Sequence, residues 1–412
     1  MSQVTLAQQY LFFSETKSPK RLAFYSTAVF EIAGNIHVER LESCFQILIQ
    51  AHEILRQKYR SEGFQVSTVT SNEFHFKIKS HNSNEPLEEI IKQITVPFDL
   101  RNLPLIRVYI INNSKRKYLL IQLPHINSDG WSLNVITRHL KDLYQGLSIS
   151  RFPFQSFKDA QSIYLGSKTF EKDQSFWGTK TSDLPPFPNK EKPIHESTTI
   201  GYFIPQEIVK TIINRKSIFT PFQVFLFASL YLQFKVTGNP EVFLNFSVHN
   251  RNYEIYSPGI DFGQIVGLIV NRVFITQQLT SHSIQFADLQ QLQANLMKVL
   301  KHHRYPYERM MMSLNPTQRK NLPGFYFNFI ENEVEITLDK DTTLKRLDFF
   351  KEPEPLDLAI DVRQLGNRIY TFIASNGVYS TSSCESFKIE LNTLLKEIIE
   401  VSDANTSLEV SK

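Results

Sequence analysis

Between Leu119 and Tyr144 the hydrophobic period of this chain changes from one kind of element to another, and that change limits what the segment can fold into. Tyr118 to Leu123 is an apolar run of the length and character of a strand buried on both faces. Pro124 cannot donate to a sheet ladder, and Asn127, Ser128, Asp129 and Gly130 are a dense cluster of turn formers, so the strand is expected to stop at His125. From there Leu133, Ile136, Leu140 and Leu143 recur at spacings of three and four, which places them on one face of a helix that Gly146 ends. The segment therefore reads as a strand, a tight loop carrying one imidazole and one carboxylate, and a helix whose amino end points at that loop.

Two readings of the loop compete. In one, Asp129 is the N-cap of the helix, Gly130 supplies an unusual backbone angle, and His125 sits where the strand ends. In the other, His125 is a partly buried base, and free N–H groups at the helix start stabilise negative charge that develops beside it. A histidine with an aspartate four residues later does not decide between them.

His125, Asp129, Gly130, Trp131 and Ser132 resemble the HHxxxDGWS core motif of condensation domains of nonribosomal peptide synthetases, within the chloramphenicol acetyltransferase-like superfamily. Other landmarks of that family follow in order. Thr5 to Phe13 is similar to its opening segment, His52 to Arg56 to its His-Glu-x-Leu-Arg sequence, and Pro97 to Leu100 to its Pro-Phe-Asp-Leu. Phe157 to Tyr164, Phe176-Trp177 and Leu184-Pro185 resemble its crossover between lobes. Later come a strand closing on Arg251, the segment Gly263 to Asn271 with Ile269 where an aromatic residue is usual, Tyr305 to Glu308, and the late strand Gly324 to Ile330.

The resemblance implies a mixed α/β fold of two chloramphenicol acetyltransferase-like lobes set as a V-shaped pseudodimer, with a tunnel between them. The expected division is 1-160 for the lobe carrying the loop, 161-195 for the crossover and 196-412 for the second lobe. It implies a site in which His125 is general base or positioning group for an amine, Gly130 offers an N–H to the reacting centre, and Asp129 shapes the loop by pairing with Arg251. Breaking such a buried pair is expected to cost about 3 to 5 kcal/mol. Trp131 and Asn328 are the candidates for substrate contact. Pro124 is a departure, since the family has its first motif histidine there; the substitution removes an imidazole and a backbone donor together. The substrates implied are a carrier-bound acyl thioester and an amine. The partners are acyl or peptidyl carrier proteins bringing a phosphopantetheine arm in trans, because adenylation, carrier and thioesterase segments are not seen in the sequence. Two alternatives stand beside amide formation in secondary metabolite biosynthesis: an acyltransferase using coenzyme A or a carrier with a soluble amine or alcohol, and a noncatalytic carrier-binding protein.

Composition bounds the rest. The 412 residues, 42% hydrophobic with 33 Phe, suffice for two sizeable cores. Cys44 and Cys384 are the only cysteines, which argues against a disulfide framework and fits a reducing compartment. The start MSQVTLAQQY lacks the plan of a signal peptide, and Val224 to Leu232 is too short to cross a bilayer, so a cytoplasmic monomer is expected. A net charge of +4 without a basic block gives no support to nucleic-acid binding. His302 and His303 are adjacent, a poor geometry for ligating one metal, so no metal site is expected and both rings are read as solvent-facing. Arg56 is expected to pair with a carboxylate. Strands are expected at Tyr25 to Ile32, Leu105 to Ile111, Thr198 to Ile204, Val242 to Val248, Leu356 to Val362 and Arg368 to Ala374, with paired strands within Phe64 to Lys79. Helices are expected from His37 onward and at Gln206 to Arg215, Leu289 to Leu300 and Ser386 to Ile399. Thr220-Pro221 is read as the start of a buried helix, and the last dozen residues as frayed.

Overall fold

The computed structural model describes residues 2–17, 25–114, 116–150, 153–185, 187, 191–214, 218–281, 283–347 and 356–409. The chain forms two compact units. The first comprises residues 1–171, 249–270 and 333–350, and the second 172–248, 271–332 and 351–412. A consecutive partition at 160 and 196 therefore does not describe the structure: two later segments return to pack with the first unit. Residues 249–270 bring Arg251 to the loop helix, and the strands Glu335–Asp339 and Thr342–Arg346 extend the first unit's sheet.

That sheet has six strands, in the order Glu335–Asp339, Thr342–Arg346, Tyr25–Gly34, Arg116–Pro124, Arg107–Asn113 and Lys79–Asn82. Arg116–Pro124 lies in its interior, buried from Tyr118 to Pro124 as its continuous apolar run requires. It pairs antiparallel with Tyr25–Gly34 as far as Tyr25 opposite Pro124, whereas pairing with Arg107–Asn113 ends at Gln122. Pro124 thus sits in the last register position, where a missing N–H costs least. Beyond it the chain makes a 3-10 turn, His125–Asn127, and then the helix Gly130–Tyr144, which packs with the helix Val38–Ala51. Gly146, with φ +81°, closes the helix in the left-handed region that favours glycine. The stretch Phe64 to Lys79, expected to form paired strands, holds one whole strand, Gln65–Thr70, whose partner is the preceding Gln57–Glu62 across a turn at Gly63, and Lys79–Asn82 joins the main sheet.

The second unit also has a six-stranded sheet, ordered Asn271–Gln278, Glu241–Val248, Phe325–Asn332, Leu358–Leu365, Arg368–Ser375 and Thr198–Phe203. The helix Pro221–Thr237 is buried continuously from Gln223 to Phe234 and packs with the closing helix. Thr220 and Gln223 cap it reciprocally, and Gly238, with φ +66°, ends it. The helix Gln206–Asn214 agrees with the pattern, and Arg215 lies outside the described residues. The closing helix runs Thr381–Glu409, so the fraying expected over the last dozen residues is not seen as far as Glu409, with 410–412 outside the described residues. Among the described residues no helix is long and apolar enough to cross a membrane.

Candidate active site

The His125 turn is held from both sides. Its backbone bends because Ser128 N donates to the His125 carbonyl (3.3 Å) and Ser128 Oγ donates to the Pro124 carbonyl (2.9 Å). The imidazole is fixed by a 2.6 Å contact between Nδ1 and the Ser128 carbonyl oxygen. A carbonyl only accepts, so Nδ1 carries the proton, and in the neutral ring the lone pair is on Nε2. Among the described residues nothing else bonds to this ring. Ile126, Asn127, Ser128 and Asp129 are buried, while His125 is half-buried.

The opening helix supports the same turn. Gln8, on Leu6–Lys17, donates from Nε2 to the Ile126 carbonyl (3.1 Å) and to Tyr59 Oη (3.0 Å), while its own N–H donates to Thr5 Oγ1 (3.2 Å). The resemblance marks the segment Thr5 to Phe13 but gives Gln8 no task there; the structure shows that it ties the opening segment to the loop.

Asp129 is the N-cap of the loop helix, and Ser132 completes a capping box. Its carboxylate accepts from Ser132 N (2.9 Å), Ser132 Oγ (2.8 Å), Arg251 Nη1 (2.9 Å) and Nη2 (3.0 Å), and the backbone N–H groups of Ile269 (3.1 Å) and Val270 (3.0 Å). Burial alone would raise the pKa of this acid. The Arg251 charge, with hydrogen bonds from Arg251, Ser132 and Val270, outweighs burial and holds it below its ordinary 3.8. The expected Asp129–Arg251 pair is thus present and bidentate, with side chains only 2% and 3% exposed.

Ser132 is equally engaged: its Oγ accepts from Asp129 N (3.2 Å) and Gly267 N (3.1 Å). Gly267 is required by close approach, since a Cβ there would lie 2.1 Å from the Phe154 ring. Asn250, beside Arg251, takes φ +52° and donates to the Ile269 carbonyl (3.1 Å). The resemblance marks Ser132 and the segment Gly263 to Asn271, but the donors at 267, 269 and 270 are backbone groups and could not be told from residue identity.

Three expectations at and around the site are corrected. Gly130 is the first residue of the helix and is not among the described glycines with positive φ, so it supplies no unusual backbone angle. Arg56 hydrogen-bonds to carbonyls, of Ile49 (3.1 Å), Gln50 (3.1 Å) and Ser71 (2.9 Å), and to Asn72 Oδ1 (2.6 Å), while the Glu53 carboxylate acts on its charge without a hydrogen bond to it among the described residues. His302 is not a free surface ring: its Nδ1 lies 2.7 Å from Asp173 Oδ1 and it stacks on Phe176 with centroids 4.1 Å apart. The neighbouring His303 places Nδ1 2.6 Å from the Leu300 carbonyl.

Trp131 and Asn328 fall in different units. Trp131 is exposed, donates from Nε1 to the Gly263 carbonyl (2.8 Å) and stacks with His249 at 6.0 Å. Asn328 donates to Asp361 Oδ2 (3.1 Å), its register partner across the second unit's sheet, and is a satisfied strand residue. Among the described residues no group of three or more His, Cys, Asp or Glu side chains could hold a metal ion.

The chain is similar to bacitracin synthase 3 of Bacillus licheniformis, 25% identical over 326 residues, and to gramicidin S synthase 2 of Brevibacillus brevis, 24% identical over 324 residues. The alignments cover 75% and 76% of this chain but only 5% and 7% of those proteins, so the chain spans a small part of their length. Among solved structures it resembles the starter condensation domain of rhizomide synthetase (TM-score 0.82, 13% identity, covering 97% of this chain and 95% of that one). It also resembles the condensation domain of the monacolin K polyketide synthase MokA (TM-score 0.82, 16% identity, covering 97% and 98%). The fold is the two-lobed mixed α/β fold of these domains. The condensation domain family matches residues 1–410, and the chain belongs to that family.

Proposed function

We propose that the chain joins an acyl group, presented as a thioester on the phosphopantetheine arm of a carrier protein, to an amine. The nitrogen attacks the thioester carbonyl, a C–N bond forms and the C–S bond breaks. The proton leaving the nitrogen passes to His125 Nε2 and from there to the departing thiolate. The observation that carries this reading is the contact between His125 Nδ1 and the Ser128 carbonyl, which fixes the tautomer with its lone pair on Nε2. A positioned base contributes about 10²- to 10⁴-fold, so alignment of the two substrates supplies much of the remaining acceleration.

The Gly130 N–H, at the start of the helix and without an acceptor among the described residues, is suited to the oxygen on which negative charge collects. Asp129 and Arg251 satisfy each other and serve as scaffold for the loop. Pro124 is compatible with this chemistry because its carbonyl, not its nitrogen, is what the turn uses, through Ser128 Oγ.

A second reading has the acyl group delivered by coenzyme A. It is favoured by the neighbouring rhizomide starter domain, whose structure holds C8-CoA. Mass spectrometry of products from one amine panel, offered with acyl-loaded carrier protein or with acyl-coenzyme A, separates the two. The proposal predicts amide from the carrier-bound donor. Amide from coenzyme A alone favours the second reading, and no product from either donor contradicts both.

A further inference from the structure

Among the described residues the turn His125–Asn127 closes on a single backbone bond, from Ser128 N to the His125 carbonyl (3.3 Å). Were the turn to continue, the N–H of Asp129 would reach the Ile126 carbonyl. That N–H donates to Ser132 Oγ instead (3.2 Å). Ile126 is buried, its side chain packed with Tyr59, Val66 and Leu105. Its carbonyl, one residue from the imidazole, therefore needs a donor from another part of the chain.

Gln8, buried on the helix Leu6–Lys17, supplies that donor. Its Nε2 donates to the Ile126 carbonyl (3.1 Å) and to Tyr59 Oη (3.0 Å), and its Oε1 accepts from Thr5 N (3.1 Å). Tyr59 Oη lies 3.4 Å from the same carbonyl, a weaker contact. Burial raises the pKa of this phenol, so it keeps its proton. Both donors and the acceptor of the Gln8 amide are engaged, which fixes its orientation: turned over, it would set oxygen against the Ile126 carbonyl. With Gln8 N on Thr5 Oγ1 (3.2 Å), the bonds to Thr5 are those of a capping box. Glu serves a capping box as well as Gln, because only an acceptor is needed there. The helix start therefore does not explain the amide nitrogen at this position, and the carbonyl beside His125 does.

We propose that Gln8 is a positioning residue for His125: by holding the Ile126 carbonyl it keeps the Ser128 carbonyl on His125 Nδ1 and so sets the direction in which Nε2 points. The inference rests on the amide-forming reading for the reaction in which Nε2 takes a proton. The opening helix is then part of the catalytic apparatus, although none of its residues meets the substrates in this scheme.

The test follows the ring and the rate separately, in the whole protein. Imidazole nitrogen NMR at about pH 8, where an ordinary imidazole is neutral, reads the tautomer of His125, with its signal assigned by its loss in His125→Ala. Gln8→Met is close to glutamine in length and has no N–H donors. Thr5→Ala loosens the start of the same helix and takes no donor from the turn. Gln8→Met is expected to lower the ratio of the Nδ1–H to the Nε2–H form about tenfold. Its kcat for amide formation should fall about tenfold or more, with KM for amine and for thioester within about threefold. Thr5→Ala should lower the melting temperature and leave the tautomer ratio and kcat within about twofold. An unchanged tautomer ratio in Gln8→Met overturns the inference whatever the rate does. Equal losses in Gln8→Met and Thr5→Ala overturn it too, since anchoring the helix would then be all that Gln8 does. Where Gln8→Met does not fold, Gln8→Asn keeps the donors but withdraws them by one methylene. A fall of about threefold or more in the tautomer ratio is then expected, and an unchanged ratio overturns the inference. A tautomer shift in Gln8→Met of a protein that makes no amide sinks the condensation reading alone. Amide formation by the native protein, with ring and kcat unchanged in Gln8→Met, sinks this inference alone.

Discussion

Asp129 and Glu15 are two carboxyl groups of the first unit that lose water on folding, the first at the start of the loop helix and the second on the opening helix. Asp129 is surrounded by donors drawn from Ser132, Arg251, Ile269 and Val270, and its pKa lies below the usual range. Glu15 has a covered oxygen with no donor among the described residues, and burial pushes its pKa up to about 8. The difference lies in pairing, because both groups lose water. A buried carboxylate with a full set of donors stays ionised and serves as scaffold, and a covered carboxyl without them keeps its proton near neutral pH.

The largest effect that could break this contrast is on stability. Arg251→Met leaves Asp129 buried and uncompensated, and should cost about 3 to 5 kcal/mol in urea unfolding. Replacing both, Asp129→Leu with Arg251→Met, should cost less than the single change, since no bare charge is left. A single change that costs under about 1 kcal/mol would show that the pair is not buried as the structure has it.

The next effect is a pH dependence of opposite sign at the two carboxyls. For Asp129 the folded pKa is depressed, so its contribution is present above 3.8 and is lost as pH falls through the lower folded value. For Glu15 the folded pKa is raised, so the folded state holds a proton that the unfolded chain releases, and stability falls as pH rises from 4.5 to about 8. Glu15→Gln removes that term. Relative to the native protein it should gain about 1 to 3 kcal/mol between pH 5 and pH 8, less than the full shift implies because the side chain keeps some solvent contact. Parallel melting curves across that range would remove the contrast.

Smaller still is Ser132→Ala, which deletes the hydroxyl of the capping box but leaves the Ser132 N–H on Asp129. A loss of about 1 kcal/mol is expected. Trp131→Phe should be the mildest, within about 0.5 to 1 kcal/mol, since it removes one exposed-side bond to the Gly263 carbonyl. A larger loss in thermal unfolding would give Trp131 a structural weight that its exposure does not suggest.

How much of this was legible in the sequence follows from how local each interaction is. The strand, turn and helix around His125 could be read because Tyr118 to Leu123, the turn formers and the Leu133 to Leu140 spacing act within a few residues of one another. Arg251 was reached through family resemblance, not through any local signal. Ile269 and Val270 were not found as donors, because a backbone N–H leaves no trace in residue identity. His302 was misread as exposed because its partner Asp173 lies in a distant helix. The return of 249–270 and 333–350 to the first unit is likewise a long-range event that no period encodes. Glu15 passed unremarked on a helix that shows only as an aromatic opening segment.

The most direct test of the account is single-turnover amide formation from an acyl-loaded carrier protein and a saturating amine, comparing the native protein with His125→Ala at matched thermal stability. The account predicts a fall of about 10²- to 10⁴-fold in the rate with the melting temperature essentially unchanged. Equal rates in the two proteins would contradict it.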